Sequence, residues 1–233
     1  KISKIRQSLD GFQNFSPKIK CVPKFEEFQD LTENEVKTLI GQLNTKSCEL
    51  DILPTAVLKS YLDPLLPIIT KLINLSLSKG VFPSKWKQAI VRPLLKKVGL
   101  ELEFSNYRPV SNLSFLSKLI EKAVLYKINT HVDKHSLLPI NQSAYRSNHS
   151  CESALLRLIN DLLLAIENQE VTALIAIDLS AAFGTVDHNI LLDVLQCQYG
   201  FSSTALEWID SYLRPSSCCV NVNSLMSSPR SLE

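Results

Sequence analysis

Residues 171–188 read VTALIAIDLSAAFGTVDH, and the fold turns on how this stretch is read. An apolar run from Val171 to Ile177 ends in one carboxylate, Asp178. A continuous run of this length, rich in Val, Ile and Ala, predicts a strand buried on both faces. An acid at the exit of such a strand is costly to bury unless it is paired or bound to a cation. The alternative is an acid that simply leaves the strand for solvent. After a small-residue loop come Phe183 and a second polar corner, Asp187-His188, where Asp187 is placed to cap a further helix.

Working outward, Lys79-Gly80-Val81-Phe82-Pro83 with Trp86-Lys87 precedes PLLKK at 93–97. NYRPVSNLSFLSKLIEK follows at 106–122, and NQSAYRSNHSCESALL at 141–156. Together with 171–188 these stretches resemble, in family order, the opening motifs of reverse transcriptases from non-LTR (LINE-type, jockey-like) retrotransposons. The first catalytic motif of that family usually reads LDLSKAFDTVDH. SCELD at 47–51 is similar to the SCGLD of the family's lead-in. The Gly-x-Pro-Gln-Gly motif and the A-D-D pair that follow in the family occur nowhere in the 233 residues. The chain therefore reads as an incomplete fragment, and it is expected not to extend a primer on its own.

The resemblance implies an α/β (α+β) fold: a helix-rich lead-in, then reverse-transcriptase fingers and a partial palm. Residues 1–30 are expected to form a tail or extended lead-in, 31–80 a helical lead-in region, and 81–233 a partial reverse transcriptase domain. By the same resemblance Asp178 is the first ligand of a catalytic magnesium ion, with the carbonyl of Leu179 as the neighbouring oxygen. Magnesium takes octahedral oxygen ligands, commonly one or two carboxylates plus substrate phosphates. Phe183 falls where the family carries an aromatic that excludes the ribose 2′-hydroxyl; a core aromatic in a turn is the other reading. Arg108, in Tyr107-Arg108-Pro109, matches the finger arginine that contacts the triphosphate or the template backbone, and a guanidinium fork suits phosphate. Lys96, Lys97, Lys118 and Arg146 are the remaining nucleic-acid-binding candidates, each with a solvated side chain as its alternative. Gly184 departs from the family's Asp, as do Asn148 and Cys151 from Gly and Thr.

RNA template, DNA primer and deoxynucleotide triphosphates are the implied partners, with no membrane and no organic cofactor. The rival reading is a non-catalytic nucleic-acid-binding remnant or an inactive relic. Composition is compatible with both: 45% hydrophobic residues allow a substantial core. The net charge of +2 hides an uneven distribution. Residues 84–127 hold nine basic and three acidic side chains, a local charge of +6. That is the electrostatic footprint expected for a phosphate-backbone partner, and an ordinary solvated helix face is its alternative.

Six scattered cysteines without C-x-x-C spacing fit a reducing compartment. No apolar leader or membrane-length run is present, so the expected location is intracellular, nuclear or cytoplasmic, and not secreted. His131 and His135 are four apart, a spacing that zinc sites use. No further Cys or His joins them, so surface imidazoles at a helix end are expected.

Locally, Thr32-x-x-Glu35 predicts a capping box, with Leu31 and Val36 as its hydrophobic staple and a helix from Glu33 to about residue 44. A longer helical stretch over 54–78 is predicted to break at Pro64 or Pro67 and to end at Gly80. Residues 88–96 are predicted as an edge or hairpin strand because of Pro93. Apolar residues at helical spacing predict helices over 116–128 and 155–166, around a polar loop at 135–150. A short helix near 203–213 and a strand near 218–222 complete the reading.

Overall fold

The capping box predicted at Thr32 is present in the computed structural model. Glu35 N donates to Thr32 Oγ1 at 3.2 Å, and Thr32 N donates to Glu35 Oε2 at 2.8 Å. These bonds start α1 (Glu33–Gln42), and the staple residues Leu31 and Val36 are both buried. The backbone hydrogen bond from Thr32 is the main reason the Glu35 carboxyl is held below its ordinary value. The structure describes residues 17–179, 182–223 and 225–232. They fall into two compact units, one formed by Ser136–Asp187 and the other by residues 17–135 and 188–232.

The larger unit continues with α2 (Thr55–Ser60) and α3 (Leu62–Ser78). The predicted break is present, but it falls at Tyr61, ahead of both prolines. Pro64 is the third residue of α3, where an amide has no acceptor within the helix. Pro67 lies inside the helix on its exposed side. Gly80 ends α3 as predicted: its φ is +63°, its N–H reaches Leu77 O at 3.2 Å, and Val81 N reaches Ser76 O at 3.1 Å. That pair of bonds is a Schellman motif.

Next come β1 (Gln88–Leu95) and β2 (Tyr107–Asn112), paired antiparallel with Pro93 opposite Pro109. β2 has no alternating pattern of its own in the sequence; it exists because β1 offers it a ladder. Then follows α4 (Phe115–Lys134), capped by Ser114 and tied through Phe115 N to Asp51 Oδ1 at 2.5 Å. After the other unit come α6 (His188–Tyr199), α7 (Ser203–Leu213) and β3 (Ser216–Val222). Two short strands, β4 (Leu225–Met226) and β5 (Arg230–Leu232), close the chain. β3 runs parallel to β1 and antiparallel to both β4 and β5, so the sheet is mixed, in the order β2-β1-β3-β4. This is an α/β fold.

The core of this unit joins α1, α3, α4 and α7 around Ile40, Ile73, Leu77, Leu119, Ile120 and Trp208. Each such side chain contributes about 1.5–3 kcal/mol on burial. The one indole N–H in this core is satisfied, since Trp208 Nε1 donates to Ser76 Oγ at 3.0 Å. Residues 17–31 run extended against α6 and α7, with Phe25 N donating to Gly200 O at 2.8 Å and Ser202 N to Phe25 O at 3.1 Å. Gly200 makes this docking possible. Its φ is +78°, and a Cβ there would lie 2.2 Å from Pro23 O. Gly200→Ala is therefore expected to cost about 2–4 kcal/mol, from left-handed backbone strain plus overpacking. A urea midpoint unchanged by the substitution would show that residues 17–31 are not held there.

The expectation of surface imidazoles is corrected at His131. Its side chain is buried beside Phe25 and Phe201, and Nε2 lies 3.0 Å from Tyr199 O. The apolar body of the ring fills core space while one nitrogen meets a helix-end carbonyl.

The smaller unit holds a loop over 136–150, α5 (Cys151–Glu167), an irregular segment to residue 179 and a 3₁₀ turn at Ala182–Thr185. Ser150 caps α5 through Ser153 N at 3.2 Å. The buried strand predicted over 171–178 is not formed: these residues have no regular secondary structure, join no ladder and are exposed throughout. A doubly buried strand needs ladder partners on its edges and layers on both faces, and the described part of this unit offers only one helix and turns. None of the residues of α5 is buried either.

Candidate nucleotide and nucleic-acid site

In the larger unit the β1–β2 hairpin carries the basic candidates. Leu94 pairs with Arg108 and Arg92 with Val110, so alternation along the strands places Arg92 and Arg108 on one face. Lys96 closes the base of the hairpin loop: its N–H reaches Asn106 O at 2.9 Å and its Nζ reaches Ser105 O at 2.8 Å. Lys97 and Arg108 are exposed. Arg92 pairs with Glu49, and Glu49 Oε1 also accepts from Asn221 Nδ2 at 3.4 Å. Lys118, in the first turn of α4, is half-buried and borders a cavity of about 380 Å³ together with Lys46, Arg92 and Asn112. The structure thus brings Lys96, Lys97 and Arg108 together on the hairpin and joins Lys118 to Arg92 around a cavity.

The other candidates belong to the smaller unit. Asp178 and Leu179 lie in the exposed irregular segment. Phe183 is 82% exposed in the 3₁₀ turn, edge-on to Tyr145 with ring centroids 6.4 Å apart. Arg146, half-buried, follows Tyr145 in the chain. Phe183 is thus not a core aromatic here; its ring is available to a ligand. Gly184 meets no atom within 4 Å of a would-be Cβ and has no positive φ, so nothing in the turn demands glycine. An Asp at that position would fit without a clash.

Among the described residues no three His, Cys, Asp or Glu come together to hold a metal ion. The carboxylate of Asp178 and the adjacent backbone carbonyl are hard oxygen donors of the kind magnesium prefers. Two such donors are too few to hold a cation tightly by themselves. The six cysteines are free. No described helix is long and apolar enough to cross a membrane.

Three features carry no signal in the local sequence: in the larger unit the Arg92–Glu49–Asn221 network and the cavity bordered by Lys46, and in the smaller unit the contact of Tyr145 with Phe183. The partners are 43 and 172 residues apart in the first case, and nothing local signals such pairs.

Residues 95–231 match the family described as reverse transcriptase (RNA-dependent DNA polymerase). The chain is 31% identical over 163 residues to the RNA-directed DNA polymerase from mobile element jockey of Drosophila melanogaster, a match covering 70% of this chain and 18% of the relative. It is 29% identical over 185 residues to the probable RNA-directed DNA polymerase from transposon BS of the same fly, covering 79% of this chain and 20% of that protein. A third relative, the probable polymerase from transposon X-element, is 27% identical over 152 residues, covering 65% and 17%. The chain thus spans about a fifth of the length of the curated relatives it matches.

Proposed function

We propose, from the premise that this chain belongs to the reverse transcriptase (RNA-dependent DNA polymerase) family and to its non-LTR retrotransposon branch, that it supplies the fingers and the first palm motif of an enzyme copying RNA into DNA. The observation that carries this reading is the family match over residues 95–231, which takes in both the basic hairpin and Asp178. The proposed partners are an RNA template, a DNA primer and deoxynucleotide triphosphates. A non-catalytic remnant, the rival reading, draws no support from relatives named as polymerases.

In this reading Asp178 and the Leu179 carbonyl contribute to a magnesium site whose other carboxylates are not among these residues. When bound, divalent cations of this kind activate the primer hydroxyl and steady the leaving pyrophosphate. Arg108 offers the triphosphate or template phosphate a planar, permanently charged fork. Lys96 and Lys97 flank it on the hairpin, with Lys118 and Arg146 as further phosphate contacts. The exposed ring of Phe183 lies under the incoming sugar and leaves no room for a 2′-oxygen.

The test is a chimaera in which these residues replace the matching segment of the jockey polymerase. It is expected to extend a primer on an RNA template. A folded, template-binding chimaera without activity, beside an active parent, would overturn the reading. In the same assay Phe183→Ala is expected to keep deoxynucleotide incorporation and to raise ribonucleotide incorporation about tenfold or more, the range a steric contact in a pocket supplies. Unchanged sugar discrimination would place the steric gate elsewhere.

A further inference from the structure

β1 and β3 pair only from Gln88–Ser217 to Val91–Val220. Beyond that point the strands part, and the fork between them is a cavity of about 750 Å³ bordered by Arg92, Leu102, Phe104, Tyr107, Asn221 and Asn223. We propose that this fork is a binding site for an unpaired base of single-stranded RNA, with Phe104 as the stacking face. The proposal rests on the polymerase reading above, and it deepens that reading by naming a template contact that the family motifs do not assign.

Phe104 is 100% exposed at the start of a 3₁₀ turn, beside Leu102 at 82%. A phenyl ring held fully in water at the mouth of a cavity gains from a flat apolar partner, and every nucleobase has such a face. Tyr107 supplies a second aromatic surface. The fork also offers hydrogen-bonding groups. Arg92 to Leu95 have β2 on one side and no ladder partner on the β3 side. Asn221 and Val222 pair with Met226 and Leu225 on their far side. Backbone carbonyls and amides therefore face the opening, together with the side-chain amide of Asn223, groups that suit a base edge or a 2′-hydroxyl; the amide nitrogen of Asn221 is given to Glu49.

Charge completes the match. Glu49 neutralises Arg92, and Glu101 and Glu103 lie in the hairpin loop, so the rim itself is near neutral. The phosphate-binding charge comes from Lys96, Lys97 and Arg108 next to the fork in sequence. A neutral aromatic slot beside a basic ribbon fits a splayed base attached to its phosphate, and a rigid duplex cannot present a base to it.

The experiment is fluorescence anisotropy of the 233-residue chain with a short unstructured RNA, the same RNA as a duplex, and the single-stranded DNA of the same sequence. Phe104→Ala is expected to weaken single-stranded RNA binding about tenfold, the usual effect of removing one stacking partner. Duplex binding should stay unchanged, and Phe104→Trp should retain full affinity. Because the ring is exposed, the alanine variant should melt with the parent. An equal loss on duplex RNA, or no loss on either, overturns the site; an equal affinity and an equal loss on single-stranded DNA overturns the assignment to RNA. The variant Lys96→Glu/Lys97→Glu/Arg108→Glu separates the two levels of reading. If it binds RNA like the parent, the polymerase reading of the hairpin fails; if it loses binding while Phe104→Ala does not, only the base site fails.

Discussion

Asp178→Asn in the chimaeric polymerase is expected to lower RNA-templated extension by about a thousandfold or more, roughly 4 kcal/mol of transition-state stabilisation. The substitution keeps the size and shape of the side chain and removes the charge that a cation requires. Asp178 is exposed and outside any helix or strand, with no ladder or core contact to lose. Stability should therefore change by no more than about 0.5 kcal/mol, as for other exposed substitutions, and RNA binding through the hairpin should persist. The combination is diagnostic: a structural carboxylate would shift melting with activity, whereas a metal ligand shifts activity alone. Full activity in the Asn variant would mean that Asp178 is only a polar residue after an apolar run, and the assignment of the catalytic centre would be wrong.

Charge reversal of the hairpin should have the second largest effect. Lys96→Glu/Lys97→Glu/Arg108→Glu takes residues 84–127 from +6 to zero and the whole chain from +2 to −4. Each phosphate contact releases condensed counterion, so three reversed contacts are expected to weaken single-stranded RNA binding about a hundredfold or more at moderate salt. They should also flatten the dependence of log affinity on log salt by about 2. Lys96 also donates to Ser105 O, so a companion variant with Gln at the three positions separates repulsion from a loosened loop. The Gln variant should show the flatter salt dependence with a smaller loss. Titrations that superimpose on those of the parent would reduce the basic segment to a solvated face.

The helices were legible because their signals are local. The Thr32 capping box, the Gly80 terminus and the apolar spacing in 116–128 each concern groups within one or two turns, and each has its counterpart in the structure. Motif order likewise pointed to the family, which the match over residues 95–231 bears out, since Asp178, Arg108 and the stretches around them keep their order whatever the surroundings. The strands divide differently. Residues 88–95 pair as predicted, and Pro93 sits where β1 has β2 alone beside it. Residues 171–178 carry the stronger β pattern and yet form no ladder.

The sequence by itself therefore determined the helical framework, the family and the identity of the candidate catalytic side chains. Tertiary structure decided which apolar runs become strands, since a strand exists only by hydrogen bonds to another segment. It turned the pattern-poor YRPVSN into β2 because β1 lies beside it. It buried His131 against Phe25 and Phe201, which lie more than sixty residues away on either side. It also opened the fork beyond Val91 and Val220, where two strands far apart in the chain stop pairing. Such features depend on the relative placement of distant segments, and no residue carries that information in its neighbours.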